Sequence, residues 1–205
     1  MNEQTPGERP DMSEQSVEPS PWNVPNALTV LRILMVPVFA WMLLSHPEDN
    51  GWRIATTGVF IVAMLTDFVD GYLARKQNLV TKFGKLMDPI ADKALTGMAF
   101  VGLSIIGELW WWVTIVILLR EWGITLMRFL MLKYGVMAAG RGGKLKTLLQ
   151  SIALPLYLLP FTGFLEYVAM VVMAAAFLAT VLSGLDYCRS ALKLRRESLN
   201  SASSS

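Results

Sequence analysis

Long apolar runs, each closed by Gly, Pro or charge, recur along this chain at residues 26–45, 53–75, 85–106, 110–133, 145–162 and 166–189. Each approaches the roughly twenty residues that carry a helix across a hydrocarbon core of about 30 Å. The pattern therefore predicts an all-α polytopic membrane protein with six transmembrane helices over residues 22–197. The third and fifth runs are shorter or less apolar, which suits helices that face the bundle interior. Gly97, Ala99 and Gly102 in the third would let a neighbour approach closely.

Composition agrees with a bilayer. The chain has 205 residues, 54% hydrophobic and 17% charged, against roughly 25% charged in soluble domains. A net charge of +2 without a basic stripe gives no reason to expect a nucleic-acid partner. Cys188 stands alone, so an intrachain disulfide is excluded, and it reads as a buried structural thiol. Residues 1–21 carry Glu3, Glu8, Asp11, Glu14 and Glu18 against Arg9 and are expected to be disordered. The first apolar run follows this acidic stretch instead of a positive n-region, so it reads as a retained span. Residues 198–205 read as a flexible Ser-rich tail.

Charge position sets orientation, because Lys and Arg near span ends favour the cytoplasm. Arg75, Lys76, Lys82 and Lys85 follow the second span; Lys133, Arg141, Lys144 and Lys146 follow the fourth; Arg189, Lys193, Arg195 and Arg196 follow the sixth. The alternate connections carry His46, Glu48, Asp49 and Arg53, then Glu108, then Glu166. Both termini and the connection after the second span are expected in the cytoplasm. Trp110, Trp111 and Trp112 then form part of an outer aromatic belt, and His46 lies outside.

The most informative stretch runs from Asp67 to Asp92. Asp67, Asp70, Gly71 and Ala74 recur at helical spacing on the second span, as do Gly84, Asp88 and Asp92 on the third. A short hairpin would let the two faces meet. Four carboxylates at membrane depth repel one another and carry a large desolvation cost unless cations neutralise them. Mg²⁺ takes oxygen ligands and substrate phosphates, and two such ions about 3.5–4 Å apart can clamp a phosphoryl centre. Gly71, Ala74 and Gly84 would leave room for a nucleotide diphosphate, with Arg75 placed to neutralise phosphate charge. Scattered aspartates can instead cap helices or sit in solvated loops, but that does not explain four at paired spacings with small residues between them.

These residues reproduce Asp-x2-Asp-Gly-x2-Ala-Arg-x8-Gly-x3-Asp-x3-Asp at every fixed position. The chain resembles the CDP-alcohol phosphatidyltransferases from about Asn23 onward. The resemblance implies their six-helix fold, a homodimer and a two-metal centre of Mg²⁺ or Mn²⁺. It further implies Asp67, Asp70, Asp88 and Asp92 as metal ligands, with Asp92 also the general base. The expected reaction moves a phosphatidyl group from CDP-diacylglycerol to an alcohol at the cytoplasmic face of a bacterial inner membrane.

Further segments are similar to bacterial, particularly actinobacterial, members that use glycerol 3-phosphate. They are Asn23 to Arg32, Met87 to Lys93, Arg120-Glu121 and Gly143 to Thr147. The acceptor's dianionic phosphate calls for cations. Arg120, about ten residues into a span, must face a partner or a wet cavity; Glu121 and Arg128 share a face and read as an ion pair. Lys144 and Lys146 follow a Gly-rich loop and suit either phosphate or lipid headgroups. Asn26, Thr29 and Arg32 recur at the entrance of the first span. They suit a nucleotide-lipid headgroup there, or a cap and a snorkelling Arg.

Two other readings remain at this stage. A cardiolipin synthase would use phosphatidylglycerol as acceptor, and the signature does not separate the two. A cation transporter also places carboxylates in the membrane, although it has no need of Arg75 and the small residues beside them.

Overall fold

In the computed structural model, residues 23–76, 81–131 and 141–203 are described. Among them the chain forms α1 (Val24–Ser45), α2 (Asn50–Lys76), α3 (Lys82–Ile105), α4 (Trp111–Met131), α5 (Arg141–Leu158) and α6 (Phe164–Ser203), with no strand. The six expected helices are present, and the acidic stretch 1–21 lies outside the described residues.

Several helix ends follow from local chemistry. Asn23 caps α1 by accepting from the Asn26 amide at 2.9 Å, and Pro25 occupies the first turn, where its missing N–H costs nothing. Thr81 caps α3 by accepting from the Gly84 amide at 3.0 Å. Gly107 and Gly163, at φ 83° and 67°, turn the chain after α3 and before α6 in a conformation that disfavours side chains. Residues 198–203, expected in a frayed tail, continue α6. After Gly184 no Gly or Pro interrupts it, and Ala191, Leu192, Lys193, Leu194, Arg195, Arg196 and Glu197 are good helix formers.

α1 is the organising element. It packs extensively on both α2 and α3, which touch each other less than each touches α1; α5 packs chiefly on α6. Phe39 and Phe60 meet in the core with ring centroids 5.5 Å apart, beside buried Leu43, Leu95, Phe100, Leu103, Ile117 and Leu154. A Cβ at Gly102 would overlap the Leu43 side chain, so this glycine permits the close approach of α1 and α3. Polar pairs add links between helices: Ser104 and Thr114 hydroxyls lie 2.7 Å apart, and Gln150 donates to Thr180 at 3.1 Å.

The outside of the bundle is apolar. Leu34, Val38, Trp41, Val62, Leu119 and Leu182 are all exposed. Two helical segments among the described residues, Asn26–Ser45 and Phe164–Leu192, are long and apolar enough to cross a bilayer. Cys188 is exposed, which corrects its reading as a buried thiol. It lies on a face of α6 that the bundle does not cover.

Candidate active site

Three side chains on one face of α1 reach the two helices that carry the acids. Asn26 accepts from the Thr81 hydroxyl at 3.0 Å, Thr29 donates to Asp88 Oδ1 at 2.7 Å, and Arg32 Nη1 donates to Asp67 Oδ1 at 2.5 Å. Asn26, Thr29 and Arg32 are all buried, whereas Asp67 keeps 41% of its side chain exposed. The guanidinium thus orients a carboxylate that remains partly exposed. α1 therefore holds Asp67 of α2 and Asp88 of α3.

Gly84 serves this arrangement. A Cβ there would stand 2.9 Å from Asn26 Oδ1, 3.3 Å from Thr81 Oγ1 and 3.8 Å from Asp88 Oδ2. Gly84, expected to leave room for a nucleotide, lies against Asn26 and Thr81, and its small size lets α1 meet the start of α3. The hydroxyl of Thr29, expected to meet a substrate headgroup, donates to Asp88.

Asp70, Gly71, Ala74 and Arg75 lie in α2 directly after Asp67, and their side chains fall outside the described residues. Asp92 lies one turn after Asp88 in α3. It is exposed to solvent yet set among the helices, with Asp67, Lys146, Arg32 and Glu121 in electrostatic range. Among the described residues no three His, Cys, Asp or Glu side chains form a metal-binding group.

A second cluster joins α3, α4, α5 and α6. Arg120 Nη1 and Lys146 Nζ both donate to Glu121 Oε1, at 3.0 and 2.6 Å. Arg120 Nη2 donates to Ser183 at 2.9 Å, and Lys93 Nζ donates to the Glu121 carbonyl at 3.1 Å while lying over the Trp122 ring. Lys146 is buried and Lys144 is exposed, so the structure brings only Lys146 to Arg120. The partners seen for Glu121 are Arg120 and Lys146; the side chain of Arg128, expected to pair with it, lies outside the described residues. Sequence reasoning missed Lys93, Thr81, Ser183 and Gly184 as parts of the site, since single polar or small residues on apolar helices carry no pattern. Arg32 was legible as a candidate for a headgroup or as a snorkelling charge, but not as the partner of Asp67.

The opposite end of the bundle is built differently. Arg53 donates to Glu108 at 2.5 Å and to the Leu158 and Tyr157 carbonyls at 3.2 and 3.0 Å, closing the end of α5. A cavity of about 320 Å³ there is lined by residues that include Arg53, Glu108, Tyr157 and Glu166. Helical rise along α2 puts Arg53 about 21 Å from Asp67, so this cavity is separate from the four acids.

The signature that the sequence shares with the family it resembles thus lies on α2 and α3, packed on a common α1. The model of the CDP-alcohol phosphatidyltransferase family matches residues 22–182, and the chain belongs to that family. It is similar to a probable phosphatidylglycerophosphate synthase of Mycobacterium tuberculosis, with 47% identity over 83% of this chain and 82% of the relative. It is also similar to two proteins named CDP-diacylglycerol–glycerol-3-phosphate 3-phosphatidyltransferase. That of Bacillus subtilis is 39% identical over 81% of this chain and 93% of its own length, and that of Rickettsia typhi is 38% identical over 80% and 94%. The chain is thus a phosphatidyltransferase-family enzyme, and its apolar helices mark a membrane protein.

Proposed function

We propose that the chain transfers the phosphatidyl group of CDP-diacylglycerol to glycerol 3-phosphate, releasing CMP and phosphatidylglycerol phosphate. The observation that carries this reading is the complete acid signature on α2 and α3 of a chain whose relatives are named for that reaction. Asp67, Asp70, Asp88 and Asp92 are the residues that would hold two divalent cations, Mg²⁺ or Mn²⁺. The donor set fits such ions, being oxygen alone, with the single His and single Cys of the chain elsewhere in the sequence. When bound, they supply charge neutralisation at the diphosphate and at departing CMP.

The chain's own residues do the rest. Arg32 and Thr29 fix the rotamers of Asp67 and Asp88. Gly71, Ala74 and Arg75 receive the nucleotide diphosphate on α2, while Gly84 acts indirectly by letting Asn26 and Thr81 close over the start of α3. Arg120 and Lys146, with Lys144 at the entrance, bind the acceptor's phosphate. Asp92 takes the proton of the acceptor hydroxyl, whose oxygen forms a bond to the β-phosphorus as the bond from that phosphorus to the CMP oxygen breaks. We place the protein as a six-span homodimer in a bacterial inner membrane, with this site and both termini cytoplasmic. The basic connections and the family resemblance support that placement.

The test is an acceptor panel. Purified protein in detergent receives CDP-diacylglycerol and Mg²⁺ or Mn²⁺ with glycerol 3-phosphate, phosphatidylglycerol, serine or inositol in separate reactions, and the lipid product is weighed by mass spectrometry. Phosphatidylglycerol phosphate with glycerol 3-phosphate alone is the expected result. Cardiolipin formed only with phosphatidylglycerol would overturn it.

A further inference from the structure

Glu121 holds two cationic side chains on a single carboxylate oxygen inside the bundle. We propose that Glu121 is a built-in substitute for the acceptor's phosphate: its carboxylate occupies the seat between Arg120 and Lys146 and yields it when a phosphomonoester dianion arrives. The inference rests on the reading that those two cations bind the acceptor's phosphate, and it adds a residue that competes with substrate.

The chemistry of the seat supports exchange. A carboxylate and a phosphate offer a guanidinium and an ammonium the same charge-assisted hydrogen bonds at similar lengths. Glu121 presents one oxygen to both cations; a phosphate presents three. Arg120 has donor capacity to spare, since its buried Nε has no hydrogen-bond partner among the described residues. Charge points the same way. Once the Glu121 carboxylate withdraws, Arg120, Lys146 and Lys93 against Asp92 leave two positive charges in this neighbourhood, which a dianion neutralises.

The frame that holds the cations does not depend on the Glu121 side chain. Gly184 gives the Arg120 stem its seat, because a Cβ there would stand 3.0 Å from Arg120 Cγ, and Ser183 holds Nη2. Lys146 is enclosed on α5, and Lys93 anchors Glu121 through its main-chain carbonyl. The carboxylate can therefore swing away while the cations stay in place. Until then it keeps two buried like charges paired, sparing the cost of leaving them uncompensated. It also selects. A neutral alcohol does not displace a carboxylate from two cations, whereas a dianion does.

The experiment is steady-state kinetics at saturating CDP-diacylglycerol for wild type, Glu121→Gln, Glu121→Asp and Lys146→Met, with inorganic sulfate as a competing anion. Glu121→Gln keeps a hydrogen-bond acceptor but removes the competing charge. Its KM for glycerol 3-phosphate is expected to fall about tenfold, and sulfate should inhibit it more strongly than wild type. Glu121→Asp, whose shorter carboxylate reaches the pair less well, should move KM the same way by less, and it decides the matter if Glu121→Gln does not fold. Lys146→Met should raise the KM for glycerol 3-phosphate with little change in that for CDP-diacylglycerol. If Lys146→Met behaves so while the Glu121 variants raise KM or leave it unchanged, the substitute role is overturned and the phosphate site stands. If Lys146→Met leaves KM unchanged, the phosphate site itself is overturned and the substitute role falls with it.

Discussion

Arg32, wholly enclosed by the bundle, crosses from α1 to hold Asp67 of α2 at 2.5 Å, while the Asp67 side chain keeps 41% of its surface exposed. An aspartate gripped on one side is oriented before any substrate or cation reaches it. Removing it takes the carboxylate away from a buried guanidinium, so Asp67→Ala should lose about 2–4 kcal/mol of stability along with activity. Asp67→Asn, which still accepts a hydrogen bond, should lose activity with a smaller fall in stability. Thermal unfolding in detergent separates the two variants; an Asp67→Ala melting temperature equal to wild type's would show that the pair does not support the fold.

Gly184 on α6 is the seat for the Arg120 stem, with an added Cβ at 3.0 Å from Cγ. Gly184→Ala should push the guanidinium off its line to Glu121 and Ser183. The KM for glycerol 3-phosphate is expected to change severalfold while that for CDP-diacylglycerol holds. Equal changes in both would mean a general packing defect.

Gly84→Ala places a methyl group 2.9 Å from Asn26 Oδ1 and 3.3 Å from Thr81 Oγ1. Neither neighbour can move without giving up the hydrogen bonds that start α3, so overpacking should cost about 1–3 kcal/mol. Asp88, whose Oδ2 lies next in line at 3.8 Å, should be displaced as well, and turnover should fall more than stability. A melting curve and an activity assay on the same preparation check this.

Arg53→Met removes the clasp that ties α2 to Glu108 and to the last carbonyls of α5. It is expected to cost about 1–3 kcal/mol. Both substrate KM values should match wild type, because the clasp lies at the end of the bundle away from the acids. A selective change in either KM would tie that end to the chemistry.

Much of this architecture was legible because a membrane helix advertises itself by length and apolarity. Span 26–45 became α1 over Val24–Ser45, and span 53–75 became α2 over Asn50–Lys76, a gain of Val24 and Pro25 in the first and of Asn50, Gly51, Trp52 and Lys76 in the second. Thr81 and Asn23 added their turns through caps. The acids were legible through spacing. Their partners were not: the repeat of Asn26, Thr29 and Arg32 identified a polar face, but only the fold could aim it at Thr81, Asp88 and Asp67. Glu121 was read as ionic, yet its partner Lys146 lies on another helix and no local pattern joins them.

We propose that the acid cluster performs the transfer, with Asp92 accepting the proton. CMP release from CDP-diacylglycerol and glycerol 3-phosphate by Asp92→Asn, at saturating Mn²⁺ and with CDP-diacylglycerol binding measured on the same sample, tests it most directly. Turnover about 10²–10⁴-fold below wild type, with the lipid nucleotide still bound, is the expected result. Turnover within a few fold of wild type would contradict it.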